Sequence, residues 1–163
     1  DFKQIFSPQT AYQMTSILEG VIQRGTGKRL RDLNLQLAGK TGTTNNNTDT
    51  WFIGYTSNLV VGVYVGYDNP KRLGKYETGS KTALPIFKEF IKNAVNNYEA
   101  RPFKIAKGIK MIVIDAETGK KADFASKKTI IESYKKEKIE NQEIISNDNY
   151  NYSILKKNIL KFY

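Results

Sequence analysis

The chain has 163 residues, of which 39% are apolar and 26% charged, and it carries a net charge of +10; that suits one packed domain with a real core. Cysteine and histidine are both absent, which excludes disulfides, thiol nucleophiles, the usual imidazole base and the commonest metal ligand, and leaves Lys, Tyr, Asp, Glu and hydroxyl groups for any catalysis. No apolar run reaches membrane-spanning length, and the lysines are spread along the chain rather than gathered in a stripe, so the charge reads as solvated surface and no nucleic acid is expected as a partner.

Ser7-Pro8 is a helix start, with Ser as N-cap and Pro at the first helical position. Ala11, Met14, Leu18 and Val21, with Ile17 and Ile22 beside them, recur every three or four residues and predict an amphipathic helix that Gly25 ends. Gly25-Thr26-Gly27-Lys28-Arg29 follows a helix rather than a strand and lacks the P-loop spacing, so a plain turn is expected. Leu35 to Lys40 reads as a short strand and Thr43 to Thr50 as a polar loop. Trp51 to Tyr55 and Leu59 to Tyr67 read as the strands of a hairpin closed by Thr56-Ser57-Asn58. In its second strand Val61, Val63, Val65 and Tyr67 share one face, and Val60, Gly62, Tyr64 and Gly66 the other. The glycines are expected to admit a close neighbour, a helix.

Lys71 to Lys81 is a polar loop. From Pro85 the pairs Ile86/Phe87, Phe90/Ile91 and Ala94/Val95 repeat every four residues and predict a helix with a broad apolar face. Pro102 breaks the chain's regularity beyond that helix, Ile109 to Asp115 is a further strand, and Glu117-Thr118-Gly119 is its turn. From about Ser126 the composition shifts to Lys, Glu, Asn and Ile, for which a weak helix or a mobile tail is expected. The division expected is a domain over residues 1–124 and a polar tail over 125–163.

The chemistry concentrates in Ala38-Gly39-Lys40-Thr41-Gly42-Thr43-Thr44. On an edge strand Lys40 supplies positive potential and can assist proton transfer. The hydroxyls of Thr41 and Thr43 can hold a carboxylate, Gly42 lets a substrate backbone lie close, and an N–H just past the glycine can face a developing oxyanion. Lys-Thr-Gly is an element of the serine acyltransferases that react with penicillin. The tripeptide is short, but its context is specific. The run LAGKTGTTNNNTDTWFIGYTSNLVVGVYVGYDNP, then ETGSKTALPIFKEFI, then GIKMIVIDAETGK closely resembles the C-terminal half of the transpeptidase domain of class A penicillin-binding proteins, the type-1A branch in particular. The resemblance covers roughly Ser7 to Ala122.

That resemblance implies a mixed α/β (α+β) fold: an antiparallel five-stranded sheet flanked by helices, here as part of a penicillin-binding, serine β-lactamase-like transpeptidase domain. It implies cross-linking of peptidoglycan stem peptides at their D-Ala-D-Ala ends, outside the cytoplasmic membrane, with β-lactams as inhibitors and no cofactor or metal. A membrane anchor and a glycosyltransferase domain normally precede such a region, which implies an inner-membrane protein facing the periplasm. Residue by residue, Lys40 is implied as the lysine that tunes proton transfer and holds the substrate's negative end, Thr41, Gly42, Thr43 and Thr44 as the substrate- and β-lactam-binding positions, and the Thr43 N–H as half of the oxyanion hole. Thr44 continues the pattern, and Trp51 and Phe52 read as packing.

The family also needs a Ser-x-x-Lys nucleophile and a Ser-x-Asn motif before Lys-Thr-Gly, and residues 1–39 hold neither. Ser133 with Lys136 and Ser153 with Lys156 match the first spacing, but both follow the third motif, and the Ser and Lys counts yield about one such match by chance. The chain begins at Asp1 without Met. The expectation is a C-terminal piece, inactive alone, whose nucleophile lies in an upstream half of the same domain. A serine β-lactamase-like hydrolase and a non-enzymatic basic module for cell-wall polymer or nucleic acid are the alternatives.

Overall fold

The computed structural model describes residues 3–94 and 101–137. Val95, Ser153 and Lys156 lie outside them. The described residues form two compact units, one within Ile17–Lys104 and the other made of residues up to Ser16 with those of 105–137.

Helix α1 runs from Pro8 to Arg24. Ser7 caps it as its residue type suggests: the Thr10 N–H donates to Ser7 Oγ at 3.2 Å. The Gly25 N–H donates to the Val21 carbonyl at 3.0 Å and the helix stops. The expected plain turn is followed by a 3-10 helix, Lys28–Leu33, anchored by the fully buried Leu30.

In the unit Ile17–Lys104, β1 (Ala38–Thr43), β2 (Thr50–Tyr55) and β3 (Val60–Val65) form an antiparallel sheet in the order β1-β2-β3. β1 lies further along the chain than expected, so Lys-Thr-Gly is inside the strand rather than at its end. The reason is register: β2 offers partners only from Tyr55, opposite Ala38, back to Thr50, opposite Thr43. The hairpin turn is closed by the Thr56 N–H donating to the Leu59 carbonyl at 2.9 Å.

Helix α2 (Ala83–Ala94) supplies Ala83, Leu84, Phe87 and Ile91 to a core shared with Ile22, Leu30, Leu37 and Phe52. The first two expected pairs on α2 split at the 3.6-residue period: Phe87 and Ile91 are buried, while Ile86 and Phe90 stay 53% and 49% exposed. The expectation that the β3 glycines admit a helix is overturned. Val61, Val63 and Val65 pack toward the core with α2, and Gly62 faces outward. A helix gains more by burying a valine ridge than by approaching a glycine face. The close approach falls on β2 instead, where a Cβ on Gly54 would come within 2.7 Å of Phe87 Cζ.

In the other unit β4 (Ile109–Asp115) pairs antiparallel with β5 (Thr129–Lys135), from Ile109 opposite Lys135 to Asp115 opposite Thr129. Within the stretch expected to be a weak helix or mobile tail, Thr129–Lys135 is a strand, because β4 offers it a full-length partner and Ile130 and Tyr134 pack against Ile112 and Ile114; from residue 138 on, that stretch lies outside the described residues. The described residues hold a three-stranded and a two-stranded antiparallel sheet, the mixed helix and antiparallel-sheet class expected of part of such a domain. Among the described residues no helix is long and apolar enough to cross a membrane.

Candidate active site

Among the described strands, β1 pairs only with β2, so its other edge is free. Alternation sorts the motif by face. Lys40 and Gly42 stand opposite Ile53 and Trp51, and Thr41 and Thr43 stand opposite Phe52 and Thr50. The cation thus starts on the open face and the hydroxyls on the face that carries the core. The long Lys40 stem closes that separation: exposed Nζ donates to the Thr41 carbonyl at 2.8 Å and to Thr41 Oγ1 at 3.2 Å. Thr41 Oγ1 also lies 3.0 Å from Thr26 Oγ1, on the loop after α1.

Gly42 meets Trp51, whose Cβ would be 3.2 Å from a Cβ placed on the glycine. Gly79 is pressed harder: a Cβ there would fall 2.4 Å from the Trp51 carbonyl oxygen and 2.7 Å from that of Gly42. That closeness lets the Gly79 N–H donate to Thr43 Oγ1 at 3.1 Å. The acceptor role leaves the Thr43 hydroxyl proton available to another partner.

Thr44 is turned into its own loop. Its Oγ1 accepts from the Asp49 N–H at 2.9 Å and lies 2.8 Å from Thr48 Oγ1, closing residues 44–49. Asn46 and Asn47 take left-handed backbone at φ 65° and 56°, which asparagine tolerates better than most residues. Their carbonyls accept from Arg72 Nε at 3.1 Å and the Leu73 N–H at 2.9 Å, tying this loop to the polar segment before α2. Tyr64 donates its O–H to Asp49 Oδ1 at 2.7 Å. The tyrosine's hydrogen bond, followed by that of Thr48, holds the Asp49 carboxyl below its ordinary range, and Asp49 in turn pushes the Tyr64 phenol up.

Phe52 is fully buried, its ring 4.7 Å from that of Phe87, while Trp51 stays 41% exposed with its ring 4.8 Å from that of Tyr64. Lys40, Thr41, Gly42 and Thr43 are brought together along one edge. Ser133 is not with them; it sits in β5, 8% exposed, in the other unit. An extended strand sends residues three apart to opposite faces, so β5 does not give Ser133 the helical setting in which a serine and a lysine three positions on stack together. Thr26 and Gly79 meet the motif although neither is among the expected site residues. A threonine between two glycines was the only local signal for the first, and nothing near Gly79 in the chain points to Thr43. Among the described residues no group of His, Cys, Asp and Glu could hold a metal.

The transpeptidase domain of penicillin-binding proteins matches residues 1–92, which hold this strand. The match covers more than half of the chain, which belongs to that family. Its relatives are more specific. Penicillin-binding protein 1A of Rickettsia conorii is 46% identical over 143 residues, 86% of this chain and 18% of that protein. Penicillin-binding protein 1A of Pseudomonas aeruginosa is 41% identical over 136 residues, 83% of this chain and 16% of that protein. The crystal structure of penicillin-binding protein 1A from Haemophilus influenzae superposes with a TM-score of 0.68 at 29% identity, over 78% of this chain and 20% of that one. The chain thus has the mixed helix and antiparallel-sheet fold of a partial transpeptidase domain and spans a fifth or less of these relatives.

Proposed function

We propose that this chain is the Lys-Thr-Gly part of a peptidoglycan transpeptidase that works through an acyl-serine intermediate and is inhibited by β-lactams. The observation that carries this reading is the free edge of β1, with Lys40 bonded back to Thr41. A stem peptide lies along that edge as an added strand, its backbone passing close at Gly42. The serine, supplied from outside residues 1–163, attacks the carbonyl of the penultimate D-Ala. An acyl-serine ester forms, the D-Ala–D-Ala amide bond breaks, and the terminal D-Ala leaves with the proton that the serine gave up. An amine of a second stem peptide then attacks the ester, forms the cross-link and returns the serine.

In this scheme Lys40 places positive charge beside the proton path and the substrate's negative end. The Thr41 and Thr43 hydroxyls donate to the terminal carboxylate, and the Thr43 N–H meets the oxyanion. Thr44 keeps the strand end fixed by closing residues 44–49. A β-lactam follows the same first step, but its leaving nitrogen stays tethered, so the ester persists. An inner-membrane anchor, a periplasmic setting and a glycosyltransferase domain belong to the same proposal for the complete protein and rest on the resemblance to type-1A relatives.

The test is to incubate the full-length protein with a fluorescent penicillin and map the adduct by mass spectrometry. A stable adduct is expected on a serine outside residues 1–163, and none on the isolated chain. An adduct on Ser133 or Ser153, or rapid turnover of the penicillin as in a hydrolase, overturns the reading.

A further inference from the structure

The loop after α1 reaches the motif through Thr26. Both glycines around Thr26 are pinned to the last turn of α1: the Gly25 and Gly27 N–H groups donate to the Val21 carbonyl, each at 3.0 Å. Both positions are close-packed: a Cβ on Gly25 would lie 2.9 Å from the Val21 carbonyl oxygen, and one on Gly27 would displace the Ile22 Cδ1 end at 2.7 Å and lie 3.2 Å from the Val21 carbonyl oxygen. Just beyond, the Leu30 N–H donates to the Gly27 carbonyl at 2.9 Å, and Leu30 is fully buried. The loop is therefore fastened on both sides of Thr26, and it sets Thr26 Oγ1 at 3.0 Å from Thr41 Oγ1.

A threonine hydroxyl has one proton and two lone pairs. On Thr41 one lone pair takes the Lys40 ammonium, at 3.2 Å. If Thr26 accepted from Thr41, the Thr41 proton would be spent on Thr26 and lost to a substrate. If Thr26 donates, both lone pairs are filled, and the Thr41 proton is free to point at an incoming carboxylate. We propose that Thr26 is a positioning residue that donates to Thr41 and so orders the Thr41 hydroxyl as a donor to the carboxylate of the stem peptide or β-lactam. This rests on the proposed role of Thr41.

The experiment uses the full-length protein and the second-order acylation rate with benzylpenicillin and with its methyl ester, which lacks the carboxylate charge. Thr26→Val is expected to slow acylation by the free acid about tenfold, the scale of one lost hydrogen bond, and to leave the slower rate with the ester unchanged. Thr26→Ser keeps the hydroxyl and is expected to stay within about twofold of the parent for both. A merely structural role would slow both ligands alike, and that result overturns the inference. So does Thr26→Val at the parental rate with the free acid, if Thr41→Val is slowed; the proposed function then still stands. Thr41→Val at the parental rate instead removes the role of Thr41 on which both depend. If Thr26→Val does not fold, Thr26→Ala takes its place with the same expectations, and a Thr26→Ser protein as slow as it overturns the inference.

Discussion

Phe52 and Phe87 are fully buried with rings 4.7 Å apart in the unit that carries the motif strand, whereas the apolar centre of the β4–β5 pair, Ile112 and Ile114, keeps 6% and 8% exposure. The β4–β5 unit adds polar ties from the first turns of α1. Gln9 Nε2 donates to the Lys107 carbonyl at 2.7 Å, Gln13 Nε2 to that of Ser133 at 2.9 Å, and Lys135 Nζ to Thr10 Oγ1 at 2.9 Å. Polar ties near the surface exchange readily with water, while a packed aromatic core does not. The difference teaches where packing is concentrated: the strand that carries Lys40, Thr41 and Thr43 belongs to the unit with the denser core.

That contrast is broken most strongly at Phe87. Phe87→Ala is expected to cost about 3–5 kcal/mol, measured by urea unfolding, because it empties the centre of the core and removes the backing of Phe52 and Gly54. Ile114→Ala, in the thinner core, is expected to cost less, about 2–3 kcal/mol. Equal losses at the two sites would erase the distinction.

Glu19 sharpens it from the side of charge. Burial on α1 pushes its carboxyl up from 4.5 to about 7. A carboxyl raised in the fold makes the folded chain hold more protons than the unfolded one between about pH 4.5 and 7. Stability is therefore expected to fall as pH rises through that window and then level off. Glu19→Gln should flatten the profile and stabilise the chain at pH 8 by roughly 1–3 kcal/mol, read from urea midpoints at several pH values. A profile that keeps its slope in the variant would place the titration elsewhere.

Gln13→Ala tests one polar tie and is expected to cost about 1 kcal/mol or less. The smallest effect concerns loop 44–49. Asp49 is held below its ordinary 3.8, chiefly by Tyr64, so its contribution is present above that value and is lost as pH falls through its lower folded value. Tyr64 is raised above 10, so its contribution is present below 10 and is lost as pH rises through its higher folded value. Tyr64→Phe is expected to return the Asp49 titration toward its ordinary value, visible by NMR. An unchanged Asp49 would mean that the tyrosine does not hold it.

Local signals were legible wherever one element decided its own form. Ser7-Pro8 started α1, valine alternation drew β3, and the paired apolar positions drew α2. Lys40 to Thr44 stood out because the motif is contiguous. What the chain hid was pairing over distance. Thr129–Lys135 carries enough Lys, Glu and Ser to look like a tail, and only β4 makes it a strand; strand preference follows the neighbour more than the residue. The glycines of β3 misled because space for a helix is useful only on the face where there is apolar area to bury. Thr26 and Gly79 touch the motif from 15 and 36 residues away; the glycines flanking Thr26 are a faint local signal, and Gly79 has none.

The most direct test of the central claim, that β1 carries the working lysine of an acylating site, is the second-order acylation rate of the full-length protein by a fluorescent penicillin. It is to be compared among the parent, Lys40→Ala and Lys40→Arg, each shown to be folded by its melting curve. Lys40→Ala is expected to lose about a hundredfold or more, the scale of an acid–base or charge-stabilising group, with Lys40→Arg recovering only part because its charge is kept while its donor geometry and acidity change. A Lys40→Ala protein that acylates within a factor of about three of the parent contradicts the claim, since a surface lysine at a strand edge would leave the rate at that level.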